Sequence, residues 1–296
     1  MKESVLKLVM LAVFGFGCVD TTSTFPQEPS EVTDPCGGAL EAKTLVVDQV
    51  SFVGHEGEVS NGLNIDGRLS DRGDEETCGQ EDFVSPTGEP GVDNQFARLV
   101  PALDAVAGAD SVLAVIQRTI NSGGLLLSLE VSKLDSLEDD ACVEVQVGRA
   151  TGQPSIGANG LLEESQTYER DPNIAPTLIE GARIEEGKLV AGPFDLELPL
   201  VVDNFEVFVQ IRNATIAGSF TESGRFEGII AGAIVIPEFA ESISQIDASA
   251  DVLRLISTSL FRLADLAPNA EGECEELSIT LDVTAAPGFF FPDDDP

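Results

Sequence analysis

FDLELPLVV (194–202), FEVFVQIR (205–212), NATIAGSF (213–220) and RFEGIIAGAIVI (225–236) follow one another with only short connections. Each is rich in Val, Ile and Phe interleaved with polar residues, the pattern of half-buried strands. In 205–212, Phe205, Val207, Val209 and Ile211 fall on one face, while Glu206, Gln210 and Arg212 fall on the other. TESG (221–224) supplies a turn. The four stretches therefore predict an antiparallel meander. Gly228, Ala231, Gly232 and Ala233 leave little side-chain bulk, which predicts close packing of another element, a helix, on that strand.

The same patterns extend outward. LLLSLEVSKL (125–134) and CVEVQVGRA (142–150) are predicted strands joined by an acidic turn that carries Glu138, Asp139 and Asp140. KTLVVDQVSFV (43–53) is the predicted first strand and ELSITLDVTA (276–285) the last. Helical spacing takes over between Asn94 and Ile120, with Phe96, Leu99, Val100, Leu103 and Val106 on one face, an interruption at Gly108, then Val112, Leu113, Ile116 and Ile120. Pro101 argues for a kink or a late start, and Gly123-Gly124 for a stop. Glu238 to Leu266 is also helical in spacing, with Val252, Leu255, Ile256, Leu260, Leu263 and Leu266 as an apolar stripe for the sheet and Pro268 as its end. Residues 151–183, rich in Gly, Pro and Asn, are assigned mostly to surface loops. The expected fold is mainly β with helical segments: a twisted antiparallel β-sandwich-like domain with two helical regions packed on it.

The first residues, MKESVLKLVMLAVFGFGC, place Lys2 and Lys7 before an apolar run from Leu8 to Gly17 that ends at Cys18. That run falls short of the roughly 20 residues a membrane span needs. It reads as a signal-peptide core, with Cys18 where a bacterial lipobox places its lipidated residue. Gly15 and Gly17 are suitably small, whereas Phe16 is bulky for its position. Residues 1–17 are thus expected to be a signal peptide and 18–35, rich in Thr, Ser, Pro and acids, a lipidated flexible tether. A single β-rich domain (36–287) and an acidic tail (288–296) follow.

The formal net charge is −36, from 52 acidic and 16 basic residues. Phosphate binding needs clustered Lys and Arg, so nucleic acid is not an expected partner. The charge suits a divalent cation or simply a solvated exterior. With Cys18 given to lipid, Cys36, Cys78, Cys142 and Cys274 suggest two disulfides in an exported chain, with three pairings open. The positions of Cys36 and Cys274, each shortly before a terminal strand, favour joining those two and leaving Cys78 with Cys142.

Between Asn61 and Asn94 the chain holds nine carboxylates, two arginines and six glycines. Asn64, Asp66 and Gly67 match the middle of an EF-hand loop, but Gly62 and Gly73 stand where its end ligands belong. A looser oxygen-ligand loop remains. Its candidate metal ligands for Ca2+ are Asp66, Asp71, Asp74, Asp93 and Asn94, joined by Asp139 and Asp140 if Cys78 and Cys142 are bridged. The competing reading is a solvated acidic loop with Asp93 or Asn94 capping the next helix.

Catalysis has little support in the sequence. His55 is the single histidine, there is no Trp, and Tyr168 is the single tyrosine. HExxH, GxSxG and GxxxxGK[ST] do not occur.

NIDGRLSD (64–71), CGQEDFVSPTGEPGVDNQ (78–95), LEDDACVEV (137–145) and the sheet-forming ELPL to GAIVI region (197–236) resemble a group of uncharacterised acidic surface lipoproteins of myxobacteria-like δ-proteobacteria. The resemblance implies export and membrane anchoring and assigns no reaction. The resulting expectation is a lipid-anchored bacterial cell-envelope protein that acts as a non-enzymatic surface binding or structural protein, with acidic loops ordered by calcium. The alternatives are a carboxylate-based hydrolase and a carrier of an apolar ligand. No protein or glycan partner is named by these residues.

Overall fold

In the computed structural model, which describes residues 38 and 40–291 apart from 75–77, 109, 203–204 and 246–248, the four opening stretches become three strands. The strands in chain order are β1 (Lys43–Phe52), β2 (His55–Glu56), β3 (Val59–Ser60), β4 (Phe83–Val84), β5 (Pro90–Val92), β6 (Leu126–Ser132), β7 (Glu144–Thr151), β8 (Gln166–Arg170), β9 (Thr177–Ile179), β10 (Arg183–Glu185), β11 (Lys188–Val202), β12 (Phe205–Phe220), β13 (Phe226–Val235), β14 (Leu266–Pro268) and β15 (Cys274–Phe290). The helices are α1 (Val100–Ala107), α2 (Ser111–Asn121), α3 (Ile236–Ile243) and α4 (Ala250–Leu263), with a short 3-10 turn at Gln95–Arg98. With 45% strand and 17% helix, the chain is mainly β, as the alternation predicts.

Eleven strands form one mixed sheet in the order β1-β6-β7-β8-β15-β13-β12-β11-β10, with β14 on β15 and β9 on β7. β1 also pairs with β15, so β1, β6, β7, β8 and β15 close a ring. The long strand β15 is therefore the hub. It pairs antiparallel with β1, β13 and β14 and parallel with β8. A second sheet of four short strands, β2-β3-β4-β5, belongs to the acidic loop. The inward faces of the large sheet and the buried face of α2 share one apolar core that includes Leu45, Ile120, Leu126, Ile211, Phe226 and Leu277.

Several expectations are met in detail. TESG connects β12 to β13, with Gly224 at φ +82. Val207 and Ile211 are buried whereas Phe208 is exposed. Pro101 follows the first residue of α1, consistent with a late helix start.

Other particulars differ. FEVFVQIR and NATIAGSF are one 16-residue strand, β12. A bulge separates the two stretches: the β12–β13 register shifts between Arg212 and Thr215, and Asn213 has φ +49. Beside Gly232 the close neighbour is a strand and not the expected helix. A Cβ on Gly232 would lie 2.5 Å from Ile211 Cγ2 and 2.9 Å from the Arg212 carbonyl oxygen, so the bulged neighbour β12 occupies the room. Gly218 faces Gly228 across the β12–β13 pair, and the Phe226 ring covers both. Residues 151–183 contain β8 and β9, and β10 begins at their end, so they are not merely loops. These strands are three to five residues long and gain their hydrogen bonds from β7, β11 and β15, which their own composition does not reveal. The Glu238–Leu266 stretch divides into α3, α4 and the start of β14. Of its stripe, Leu260 is buried, Ile256 and Leu263 are half-buried, and Leu255 faces solvent. β15 continues to Phe290, so residues 288–290 belong to the sheet and not to a tail. Cys18, Cys36, the expected signal peptide (1–17), the tether (18–35) and the end of the acidic tail (292–296) lie outside the described residues.

One polar group sits deep in the large sheet. β1 changes register against β15 between Val47 and Gln49, which leaves Asp48 on a bulge and fully buried. Its carboxylate accepts a bond from Arg225 Nη2 at 2.5 Å and one from Thr284 Oγ1 at 2.6 Å. Arg225 also reaches Glu164 at 3.0 Å. Burial, together with the negative charge of Asp48, pushes the nearby Tyr168 hydroxyl up to about 12.

Candidate functional site: a buried carboxyl cluster in the acidic lobe

The acidic lobe is folded by its own side chains. Asn64 Oδ1 accepts the Gly67 N–H at 2.6 Å, and its Nδ2 donates to the Arg68 carbonyl at 2.6 Å, closing a tight turn whose apex, Gly67, has φ +75. Asp82 Oδ2 accepts the Ser70 N–H at 2.7 Å. Asp93 Oδ2 accepts the N–H groups of Ile65 at 2.6 Å and Asp66 at 3.3 Å.

The run Asp93-Asn94-Gln95 then docks the lobe on the large sheet. Asn94 is completely buried; its amide donates to the Val53 carbonyl and to Ser60 Oγ and accepts the Thr280 N–H of β15 at 3.0 Å. The Gln95 N–H donates to Ser278 Oγ at 2.8 Å. Neither Asp93 nor Asn94 caps a helix through its side chain; the 3-10 turn that follows Asn94 has no side-chain cap bond. Their polar groups are spent on long-range contacts instead.

Ser278 also brings in Asp265, the residue that connects α4 to β14. Asp265 accepts the Ser278 N–H at 2.8 Å and its hydroxyl at 2.6 Å. Asp93 and Asp265 are 2% and 5% exposed, and among the described residues no salt bridge to either is formed. Asp82 lies near enough to Asp93 for its negative charge to disfavour ionisation there.

Electrostatics agree with that geometry. Burial, reinforced by the charges of Asp66, Asp265 and Asp82, raises Asp93 to about 8 against the backbone bond from Ile65. Burial raises Asp265 to about 7 although Ser278 donates to it twice. Asp82 is raised as well, again first by burial. Asp66 and Asp265 line the mouth of a cleft of about 390 Å³ together with Arg68, Leu266, Ala267 and Pro268.

The sign of the stability effect follows. A carboxyl whose folded pKa is raised contributes stability that is complete below its ordinary value near 3.8 and declines as pH rises towards the folded value. The lobe is therefore expected to be tightest in mild acid, with the melting temperature falling from pH 5 to pH 8 and levelling above that. Asp93→Asn keeps a neutral amide at this position and should flatten the slope. An unchanged slope in that variant would remove Asp93 as its source.

The expected ligand set does not assemble. Asp66 and Asp93 do meet, whereas Asp71 and Asp74 lie farther along the loop, where the Asp74 N–H donates to the Asp71 carbonyl at 3.0 Å. Asp139 and Asp140 fold a different loop. Asp140 accepts N–H groups from Asp135, Ser136 and Cys142, and Asp139 accepts the Glu186 N–H at 3.1 Å. Burial works to raise Asp140, but those three backbone bonds outweigh it and hold the group below the ordinary range. Among the described residues there is no group of three or more His, Cys, Asp or Glu side chains arranged to hold a metal ion. Asp82 and Asp265 were not among the expected site residues. Asp265 has a visible signal, a single charge inside the apolar run LADLA (263–267).

The disulfide framework also differs from the expected one. Cys78 bonds to Cys274, with a Cα–Cα separation of 6.0 Å across 196 residues of sequence. This excludes both Cys36–Cys274 and Cys78–Cys142. Cys78 meets the start of β15 and not the β6–β7 tip, and the Gln80 amide of the same loop donates to the Arg262 carbonyl of α4 at 3.0 Å. Cys142 is disulfide-bonded too. His55 accepts no catalytic partner: its ring packs 5.3 Å from Phe83 and its Nδ1 lies 3.0 Å from the Gly57 carbonyl oxygen.

No family model, curated protein or solved structure matches the chain.

Proposed function

We propose that the protein is an exported, lipid-anchored envelope protein that works as a binding or structural module rather than as an enzyme. The observation that carries this reading is the use made of the carboxylates: Asp82 and Asp93 accept backbone N–H groups of the acidic lobe, Asp140 accepts those of the β6–β7 loop, and Asp265 accepts the Ser278 N–H of β15. Acids so engaged hold the backbone in place. Export is supported by the Cys78–Cys274 bond and the bonded Cys142, since disulfides persist in oxidising compartments.

One observation favours the hydrolase as a second reading. Asp82, Asp93 and Asp265 all have raised pKa values, Asp66 and Asp265 line the 390 Å³ cleft, and clustered carboxyls with raised pKa values are a usual feature of acid catalysis. Against it, Asp93 is buried beneath its own loop.

The anchor is tested by cell fractionation. Cys18→Ser should move the protein from the membrane to the soluble fraction. An unchanged membrane fraction would refute lipid attachment at Cys18.

A further inference from the structure

The groove beside the Cys78–Cys274 bond carries charge of one sign. Its volume is about 710 Å³, and its lining includes Asp74, Glu271, Glu273, Glu275 and Phe261 together with both cysteines, with no Lys or Arg among the lining residues. Arg72, on the loop that carries Cys78, pairs with Glu81 at 3.1 Å. Cys274 is buried and Cys78 is half-buried, so a reagent entering the groove meets the Cys78 sulfur first. Cys78 is held at φ +54, a left-handed conformation that non-glycine residues adopt at a cost.

We propose that this disulfide is a charge-gated, reducible latch on the acidic lobe, open to neutral or cationic thiols and closed to small anionic thiols of the glutathione class. A thiolate forms a new S–S bond at Cys78 Sγ while the Cys78–Cys274 bond breaks, and the electron pair leaves on Cys274 Sγ, which takes a proton from water. A second thiolate attacks the reagent's own sulfur in the mixed disulfide. That step releases Cys78 as a thiolate, which is protonated in turn, and yields the reagent's disulfide, so the two electrons come from the two reagent thiols. The gate is Coulombic. The carboxylates repel an approaching anion in proportion to its charge, and salt removes the effect because exposed charges are screened within about 3 Å at 1 M. Opening frees Cys78 from the start of β15, while the Gln80 amide still ties the loop to the Arg262 carbonyl of α4.

The test uses the intact protein and three reagents: cysteamine, 2-mercaptoethanol and 2-mercaptoethanesulfonate, whose thiolates are net neutral, singly negative and doubly negative. Free Cys78 and Cys274 are trapped by alkylation and counted by peptide mass mapping. Rates are taken at equal thiolate concentration and divided by those on a neutral model disulfide. At low ionic strength cysteamine should open the bond at least about tenfold faster than the sulfonate, with 2-mercaptoethanol between them. In 1 M salt the three rates should come within about twofold. The Glu271→Gln, Glu273→Gln double variant, altered only at exposed positions, should lose most of the discrimination at low salt. Equal normalised rates at low ionic strength would overturn the proposal, as would a rate order that survives 1 M salt or full discrimination in the double variant.

Discussion

Arg225→Met is expected to lower the unfolding free energy by about 3–5 kcal/mol, nearer the lower figure because the guanidinium keeps one-fifth of its surface in water. The cost comes from what remains behind. Asp48 is fully buried on the β1 bulge, and removing its 2.5 Å partner leaves a charge with only the Thr284 hydroxyl at 2.6 Å and no counter-ion. The double variant Asp48→Leu, Arg225→Met removes both charges and should recover most of the loss, since well-packed apolar replacements of buried pairs are often neutral. Urea unfolding midpoints at constant slope provide the measurement. A single variant within 1 kcal/mol of the parent would mean that Asp48 is not a structural anion.

Removing the Cys78–Cys274 bond with paired serines is expected to cost about 2–5 kcal/mol and to lower the melting temperature by roughly 10 °C. The bond closes 196 residues of sequence, a long loop whose closure restricts the unfolded chain strongly, although the Cys142 bond already restricts part of it. The effect should not be uniform. Hydrogen exchange at Ile65, Asp66 and Ser70, whose N–H groups are held by Asp93 and Asp82, should accelerate before exchange in β13 and β15. Loss confined to the large sheet, with the lobe unaltered, would contradict the role assigned to the bond.

The strands that alternate strongly were legible from the amino acids, because one face of each is buried and the period of two survives in the residue types. β1, β6, β7, β11 to β13 and β15 belong to this group, and so do α1 and α2 with their Gly108 break. What was not legible depends on partners far along the chain. The bulge at Asn213, which fuses two apparent strands into β12, is set by its register against β13. The glycines of β13 correctly indicated a close approach but did not say that a neighbouring strand makes it. β8, β9 and β10 borrow their order from longer strands.

The acidic loop illustrates the same division. Its density of carboxylates suggested oxygen ligands, and Asp66 and Asp93 do come together. Their neighbours, however, are Asp82 and Asp265, and the remaining candidates fold other turns. Which acids become buried, and which cysteines meet, follows from the docking of Asn94 and Gln95 on Thr280 and Ser278, contacts that span more than 180 residues of sequence. Spacing within the loop carries no trace of them.

The carboxyl carbon of Asp93, followed by NMR from pH 4 to pH 10 in selectively labelled protein, reads the protonated state of the cluster directly. A titration midpoint near 8 is expected for Asp93, which is buried and faces the charges of Asp66, Asp265 and Asp82. A midpoint in the ordinary carboxylate range near 4 would contradict the assignment of these acids to a proton-bearing structural lock.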